Sequence, residues 1–340
     1  MKMSEKEIKI LSIESSCDET AAAVTVNGTR LLSNVIYSQI DLHTVYGGVV
    51  PEIASRAHIE KINQVIRKAL KDADTSLDDI DAVAVTAGPG LVGALLVGVS
   101  AAKAISFAKK IPLIGVHHIK GHVCANYIED PSLEPPFLCL VASGGHTHLV
   151  KVLDHTEYEI IGMTRDDAAG EAYDKIARAI GLGYPGGPKV EKAAKSGNAH
   201  AYEFPRPRID ENPYDFSFSG VKSAVLNTIN AANMKGQKIC REDIAASFQA
   251  VVIDSMKERA ALALDEFGLD KFAMAGGVAS NQSIRGALEE LCKEKGAKFY
   301  CPKPVLCTDN AAMIGCAGYY EYLEGNFAGL DLNAYPNMPF

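Results

Sequence analysis

The chain has no two cysteines spaced C-x-x-C, although it carries Cys17, Cys124, Cys139, Cys240, Cys292, Cys301, Cys307 and Cys316. That absence excludes a zinc ribbon and leaves reduced thiols in the cytoplasm as the expectation. Long hydrophobic runs are missing too. The longest largely apolar stretch, Leu91–Ala102, stops at Lys103, short of the ~20 residues a bilayer-crossing helix needs. No transmembrane helix and no membrane partner are therefore expected. The start, Met-Lys-Met-Ser-Glu-Lys-Glu, has no long h-region and no cleavage site, so no secretory signal is expected. Nor is positive charge in excess. With 34 Lys and Arg against 42 Asp and Glu the formal charge is −8, which argues against a protein that coats nucleic acid unaided. Any nucleic-acid ligand would need a local basic face or a partner. The chain does have the balance of a globular protein, 47% hydrophobic and 22% charged, over 340 residues. That length allows one large domain or two ordinary ones.

Ile8–Ile13 reads as a buried strand that ends in the polar turn Glu14-Ser-Ser-Cys-Asp-Glu-Thr20, and Ala21–Val26 resumes as a second strand closed by Asn27-Gly28. Helical spacing over Ile53–Leu70, a strand at Ala82–Thr86, the turn Ala87-Gly-Pro-Gly90 and an apolar helix over Leu91–Phe107 follow. Strands alternating with helices indicate an α/β fold. A second strand–turn–strand unit, Phe137–Ala142, Ser143-Gly-Gly-His-Thr147 and His148–Val152, echoes the first about 130 residues later, which suggests two similarly built halves. The Pro-rich stretch Pro131–Pro136 falls where a linker between them belongs. Further on, a helix over Asp243–Phe267, a strand at Lys271–Ala275, and helices at Gln282–Lys295 and about Asn310–Leu323 are expected, with residues 185–220 as an extended functional loop.

His118 and His122 stand at i and i+4, so on a helix both imidazoles face one side and can share a metal ion. Imidazole suits late transition metals better than magnesium or calcium. The same pair could equally be surface or core histidines. Asp309 precedes a helix and reads first as an N-cap. The Ser143–Thr147 turn offers free backbone amides that can cradle phosphate, or is an ordinary hairpin. Gly276-Gly-Val-Ala-Ser-Asn281 lies between a strand and a helix, the setting for a nucleotide, but lacks G-x-G-x-x-G and so does not argue for NAD. Asp166, Asp167, Glu171 and Asp174 form an acidic cluster that a solvated helix face would also explain. From Lys189 to Arg208 five basic residues (Lys189, Lys192, Lys195, Arg206, Arg208) stand against Glu191 and Glu203, interleaved with aromatics. Such a stretch can hold phosphates and stack unpaired bases, or be a mixed-charge surface loop.

Taken in order, Glu14–Thr20, Gly47-Gly-Val-Val-Pro-Glu52, Ala54-Ser-Arg56, Ala87–Gly90, His118-Ile-Lys-Gly-His122, Ser143–Thr147, Asp166–Asp174, Tyr184-Pro-Gly-Gly187, Phe216-Ser-Phe-Ser-Gly-Val-Lys222, Gly276–Asn281 and Thr308-Asp-Asn310 resemble one family. It is the bacterial TsaD family of tRNA threonylcarbamoyladenosine synthase subunits, once called Gcp or O-sialoglycoprotein endopeptidase. The resemblance runs from about Ile8 to Gly318. It implies the ASKHA fold of actin, heat-shock chaperones and sugar kinases: two duplicated α/β halves with an interdomain cleft. The halves would be residues 1–131 and 132–308, with 309–340 a C-terminal helix and tail packing back on the first. It implies a metal-dependent transferase that moves the threonylcarbamoyl group of threonylcarbamoyl-AMP to the adenosine next to the anticodon, in tRNAs reading codons that begin with A. His118, His122 and Asp309 match the family's metal ligands, with one divalent transition metal per chain, Fe(2+) first and Zn(2+) second. Val141, Ala142, Ser143, Gly144, Gly145, Asp174, Gly187 and Asn281 match its substrate contacts, and Glu191 is a further candidate. The implied partners are tRNA, a paralogous TsaB-like ASKHA subunit and a small TsaE-like P-loop ATPase.

No residue stands out as a general base, and Asp18, a carboxylate at a strand end, is the candidate. Three rival activities fit the residues less well. A zincin protease needs H-E-x-x-H, and here Ile119 follows His118, so the base is absent. A small-molecule kinase of the same fold would hold magnesium through carboxylates and leave the His pair without a job. A non-catalytic nucleotide-binding scaffold would not need the three metal positions.

Overall fold

The computed structural model describes residues 6–206, 209 and 211–340. They fall into two compact units, one of residues up to Glu134 together with Val305–Phe340, the other Pro135–Pro304.

In the first unit the strands are β1 (Lys9–Glu14), β2 (Glu19–Val26), β3 (Arg30–Ser38), β4 (Ala82–Gly88) and β5 (Leu113–His117), in the order β3-β2-β1-β4-β5. β1 to β3 run antiparallel, and β1, β4 and β5 run parallel. Asn27 and Gly28, at φ 50 and 75, make the β2–β3 turn with the mirror-image backbone a tight hairpin needs. Every residue of β4 is buried, because helices cover both faces of the sheet. On one face Leu11, Ile13, Val83 and Val85 pack with Ile62, Val65 and Ile66 of the Pro51–Asp72 helix and Val99 and Ala102 of the Val92–Lys109 helix. On the other lies the Ala311–Leu323 helix, where a Cβ on Gly315 would fall 2.7 Å from Thr25 Oγ1 and one on Gly318 2.5 Å from Ala84 Cβ. Those two glycines set the close approach of helix to sheet. The apolar stretch at Leu91 extends further than the twelve residues read from the sequence. The Val92–Lys109 helix is long and apolar enough to cross a bilayer by length and composition, but its Ala94, Leu95, Val99 and Ala102 face is buried in the core.

The second unit repeats the plan. β6 (Phe137–Ala142), β7 (Thr147–Val152) and β8 (Tyr158–Met163) form the antiparallel half, and β9 (Lys271–Ala275) and β10 (Lys298–Tyr300) the parallel one, in the order β10-β9-β6-β7-β8. The weak echo between the two strand–turn–strand motifs is therefore a duplicated topology, and the α/β fold class holds. Residues 185–220 depart from the expected loop: Gly186–Ala194 is a helix. Its Gly-Gly-Pro start hides it from periodicity, yet Pro188 in the first turn gives up only an N–H that no helix carbonyl would have received.

The stretch 163–168 is clamped to 214–219. Phe216 N donates to Met163 O (2.9 Å), Arg165 N donates to Phe216 O (2.9 Å), and Met163 N donates to Asp215 Oδ1 (2.8 Å). Asp166 accepts from Phe218 N (2.8 Å), Ser219 N (3.1 Å), Ser217 Oγ (2.5 Å) and Ser219 Oγ (2.5 Å). It thus caps the Ser219–Met234 helix from a remote segment, because Phe218 offers no side-chain cap. Partial burial works to raise the Asp166 carboxyl, but the two serine hydroxyls and two backbone N–H groups outweigh it and hold the pKa below the usual value. A carboxylate whose folded pKa is depressed stabilises above the unfolded value of about 3.9 and loses that effect as pH falls through the folded pKa. Asp166→Ala should cost about 1 kcal/mol at neutral pH, as loss of a helix cap does. Thermal unfolding of both proteins should show that gap closing as the pH falls below the unfolded value of about 3.9 and through the lower folded one. A gap that persists in acid would show that the carboxylate is not the cause.

Candidate functional site

The parallel strand β5 runs out at His117, whose Nδ1 accepts from Ile119 N (3.2 Å) and starts the His118–Glu129 helix. His118 and His122 stand one turn apart on it. Their rings lie 4.7 Å apart at 81°, with His118 Nε2 3.5 Å and His122 Nε2 3.2 Å from Asp309 Oδ1. Asp309 does not cap the following helix. Asn310 does, its Oδ1 accepting from Met313 N (3.0 Å) while its Nδ2 donates to Thr308 O (2.8 Å) and Leu306 O (3.2 Å). Relieved of capping, Asp309 points at the histidines. A Cβ on Gly121 would meet Ile314 Cδ1 at 2.8 Å, so the glycine inside His118-Ile-Lys-Gly-His122 lets the two helices close on each other.

These three side chains could hold a metal ion: one ligand atom from each lies within 4.8 Å of the others. The donor set, two imidazole nitrogens and one carboxylate oxygen, suits a late transition metal. Among the described residues Nδ1 of the fully buried His122 has no hydrogen-bond partner and Nε2 faces only Asp309 Oδ1, so a metal at Nε2 would satisfy a nitrogen that water cannot reach. Burial opposes a proton on His118, but Asp309 and Glu14 outweigh it and raise its pKa well above the ordinary value. Burial lowers the His122 pKa, and the neighbouring His118 lowers it further. Burial also works to raise the Asp309 carboxyl, yet the two histidines hold it far below the usual range. A cation held by these groups would compete with a proton on His118.

Asp18, in the β1–β2 turn, is buried, and its backbone O accepts from Gln39 N (3.0 Å). It is not one of the three ligands. Burial raises the Glu19 carboxyl well above the ordinary value, and the charges of Asp18 and Asp309 add to the effect.

The second unit holds a pocket of ≈ 340 Å³, within the size range of small-molecule sites. Of the residues singled out from the sequence, Gly144, Asp174, Gly187, Glu191 and Asn281 line it. Val141 and Ala142 are buried in β6, and Ser143 and Gly145 belong to the adjoining turn, none of the four in the lining. Tyr173, Val278 and Ser280 also line it; they lie inside the motifs Asp166–Asp174 and Gly276–Asn281 but were not among the individual contacts expected. The polar groups are tied down. Asp174 Oδ1 accepts from Gly186 N (2.6 Å), and Glu191 Oε1 from Gln282 N (3.1 Å). Asn281 Oδ1 caps the Gln282–Lys295 helix through Ser283 N and Ile284 N, and its Nδ2 donates to Gln249 Oε1 (3.0 Å). The glycines divide into two kinds. A Cβ on Gly276, at φ 87, would lie 2.3 Å from Ala142 O, so that glycine is required by the fold. At Gly144, Gly187 and Gly277 a Cβ would meet nothing within 4 Å. There the missing side chain leaves room for something other than protein.

The acidic cluster is structural in the main. Asp166 is the remote cap, Asp167 pairs with Lys175 and Lys222, and Glu171 pairs with Lys175. The basic segment is less positive than its count. Lys195 lies 3.6 Å from Glu191, Arg206 pairs with Asp254 at 2.6 Å, and Lys189 donates to Tyr184 O. Arg208 lies outside the described residues.

Duplicated five-stranded units, with a His–His–Asp group in one and a glycine-lined pocket in the other, give the chain the ASKHA fold. The full-length HypF structure in its phosphate- and nucleotide-bound form shares the fold (TM-score 0.62, 17% identity), covering 93% of this chain and 46% of that one. So does the (R)-2-hydroxyglutaryl-CoA dehydratase component A of Acidaminococcus fermentans (TM-score 0.55, 16% identity), covering 94% of this chain and 99% of that one. Sequence comparison is more specific. The family model described as TsaD, tRNA N6-adenosine threonylcarbamoyltransferase, matches residues 30–316. Proteins of that description from Clostridium novyi (59% identical, 98% of each chain) and Clostridium beijerinckii (58% identical, 97% of each chain) align nearly end to end. The chain belongs to the TsaD family and is an enzyme, a transferase acting on adenosine N6 in tRNA.

Metal analysis of the purified protein should find about one transition metal per chain, and His118→Ala with His122→Ala should remove it while the circular dichroism spectrum stays. Unchanged metal content in the double variant would overturn the ligand assignment.

Proposed function

We propose that the donor is threonylcarbamoyl-AMP, that it binds in the glycine-lined pocket, and that the acceptor is the adenosine next to the anticodon in tRNAs reading codons that begin with A. The observation that carries this reading is the set of open Cβ directions at Gly144, Gly187 and Gly277 around one pocket. Backbone amides without side chains can approach an adenylate closely. Gly144, Asp174, Gly187, Glu191 and Asn281 make the donor site, with Val141, Ala142, Ser143 and Gly145 in the strand and turn that carry Gly144, a turn closed by Ser143 N donating to His146 O (2.8 Å).

In the transfer the adenosine N6 attacks the carbamoyl carbon of the mixed anhydride, the bond from that carbon to the phosphate oxygen breaks, and AMP leaves with the electron pair. One proton is lost from N6, and Asp18 is the candidate to accept it. AMP is a good leaving group and the amine a poor nucleophile, so positioning and electrostatic stabilisation are what the protein must supply. His118, His122 and Asp309 would hold Fe(2+), with Zn(2+) as the second candidate, and a bound ion supplies Lewis-acid polarisation of a ligand oxygen. The enzyme would work in the cytoplasm with a paralogous TsaB-like ASKHA subunit and a small TsaE-like P-loop ATPase, partners that extend the basic surface a chain at −8 lacks.

Incubating tRNA and donor with and without the protein, then measuring threonylcarbamoyladenosine by nucleoside mass spectrometry, tests the reaction. No product with the partner proteins present would overturn it. Gly187→Val should keep the wild-type melting temperature and lose adenylate affinity by at least tenfold, whereas Gly276→Val should unfold the second unit. Wild-type adenylate binding in Gly187→Val would move the donor elsewhere. Reversing Lys192, Lys195, Arg206 and Arg208 to Glu should cut tRNA modification far more than donor hydrolysis or metal content. Intact modification at physiological salt would return this segment to an ordinary surface.

A further inference from the structure

Glu14 closes β1 with its side chain wholly buried, and the reaction described above gives it no task. Its carboxylate is nevertheless surrounded. Oε1 accepts from Ser16 N (2.5 Å), and Oε2 accepts from Thr86 Oγ1 (2.6 Å) and lies 3.0 Å from His118 Nδ1. Ser16 Oγ stands 3.2 Å from the same ring nitrogen. Glu14 comes from β1, Thr86 from β4 and His118 from the residue after β5, so three neighbouring strand ends meet at this carboxylate.

An ionised carboxylate only accepts hydrogen bonds. The ring nitrogen facing it must therefore carry a hydrogen, so Nδ1 of His118 is the N–H. In an imidazole with its hydrogen on Nδ1 the lone pair is on Nε2, and Nε2 is the atom turned toward Asp309. We propose that Glu14 is the positioning residue for His118, holding the ring in the tautomer whose free lone pair points into the His118–His122–Asp309 group. This rests on the metal reading of that group. The pattern is a carboxylate behind a ligating histidine, which fixes tautomer and ring orientation.

The surroundings of Glu14 make the consequence sharper than a general loss of support. A glutamine at this position has one acceptor oxygen and one donor NH2. Ser16 N–H can only donate, so the amide oxygen must take the Oε1 place. The NH2 then faces Thr86 and His118, and it turns His118 Nδ1 into an acceptor. The ring hydrogen moves to Nε2, and the histidine can no longer ligate through that atom. An alanine leaves a cavity but no donor, so Nδ1 can keep its hydrogen, with Ser16 Oγ close enough to accept it.

Zinc affinity, measured by competition with a chromophoric chelator at neutral pH, tests this on the full chain. Glu14→Gln should bind zinc 10- to 100-fold more weakly than wild type, in the range seen when outer partners of metal-bound histidines are removed. Glu14→Ala should retain more zinc affinity than Glu14→Gln while melting at a lower temperature. A purely structural role predicts the opposite order, with the isosteric Gln better in both measurements. Equal zinc binding by wild type and Glu14→Gln, or weaker binding by Ala than by Gln, would overturn the proposal. If neither variant folds, 15N-histidine spectra of zinc-loaded wild type decide. A ring with a protonated Nδ1 and a zinc-bound Nε2, assigned to His118 by through-bond correlation to its own backbone, supports the proposal, and the reverse arrangement overturns it. Wild type that takes up no zinc would overturn the metal reading itself, a result distinct from wild type and Gln variant binding alike.

Discussion

A carboxylate without water must be surrounded by donors, and the Glu14 carboxylate recruits them from Ser16, Thr86 and His118. Moving such a group out of water costs several kcal/mol unless its lone pairs are met. The cost is met only if β1, β4 and the residue after β5 end in register. The parallel ladder of β1, β4 and β5 supplies that register, and the buried helices on both faces hold it. The first unit thus couples its core to its chemistry. The group that demands the best-formed sheet edge is the same one that faces His118. Burial works to raise the Glu14 carboxyl, and His118 more than offsets it, leaving the pKa below the ordinary value.

How much of this was legible follows from what each signal depends on. The paired strand–turn–strand motifs could be read because hairpins and apolar strands are local patterns, and the duplicated topology bore them out. The His118–His122 spacing could be read because a helix repeat is local as well. Asp309 could not be told from a cap, since Asn310 beside it competes for that task and only the fold shows which residue wins. The Gly186–Ala194 helix was hidden by its Gly-Gly-Pro start, which weakens helical propensity while packing supplies the rest. Glu14 lay in plain view in Glu14-Ser-Ser-Cys-Asp-Glu-Thr20, but its task depends on residues 72 and 104 positions away. The pocket split the same way. Gly144 and Val278 lie in glycine-rich turns that mark themselves, whereas Tyr173 sits inside a helix where an aromatic reads as core.

The same details separate the family chemistry from its rivals. A protease of the H-E-x-x-H kind would need a base beside His118, and Ile119 there is fully buried in apolar packing. A kinase holding magnesium through carboxylates and water has no use for two imidazoles aimed at one aspartate. The acidic cluster at 166–174 is engaged by lysines, serines and backbone N–H groups. The comparisons support neither rival and agree with the transferase reading.

The return of residues 305–340 to the first unit also bears on how the molecule is made. Ser12 Oγ donates to Ala311 O (2.6 Å) across 299 positions of chain, and Asp309 reaches the histidines from the same distant segment. A ribosome releases the amino end first, so the β1 strand and both histidines emerge long before the aspartate. During synthesis the nascent chain offers only two of the three donors. The His–His–Asp group is complete only after the segment that carries Asp309 has left the tunnel. Order of translation therefore assembles this group after the second unit has been made.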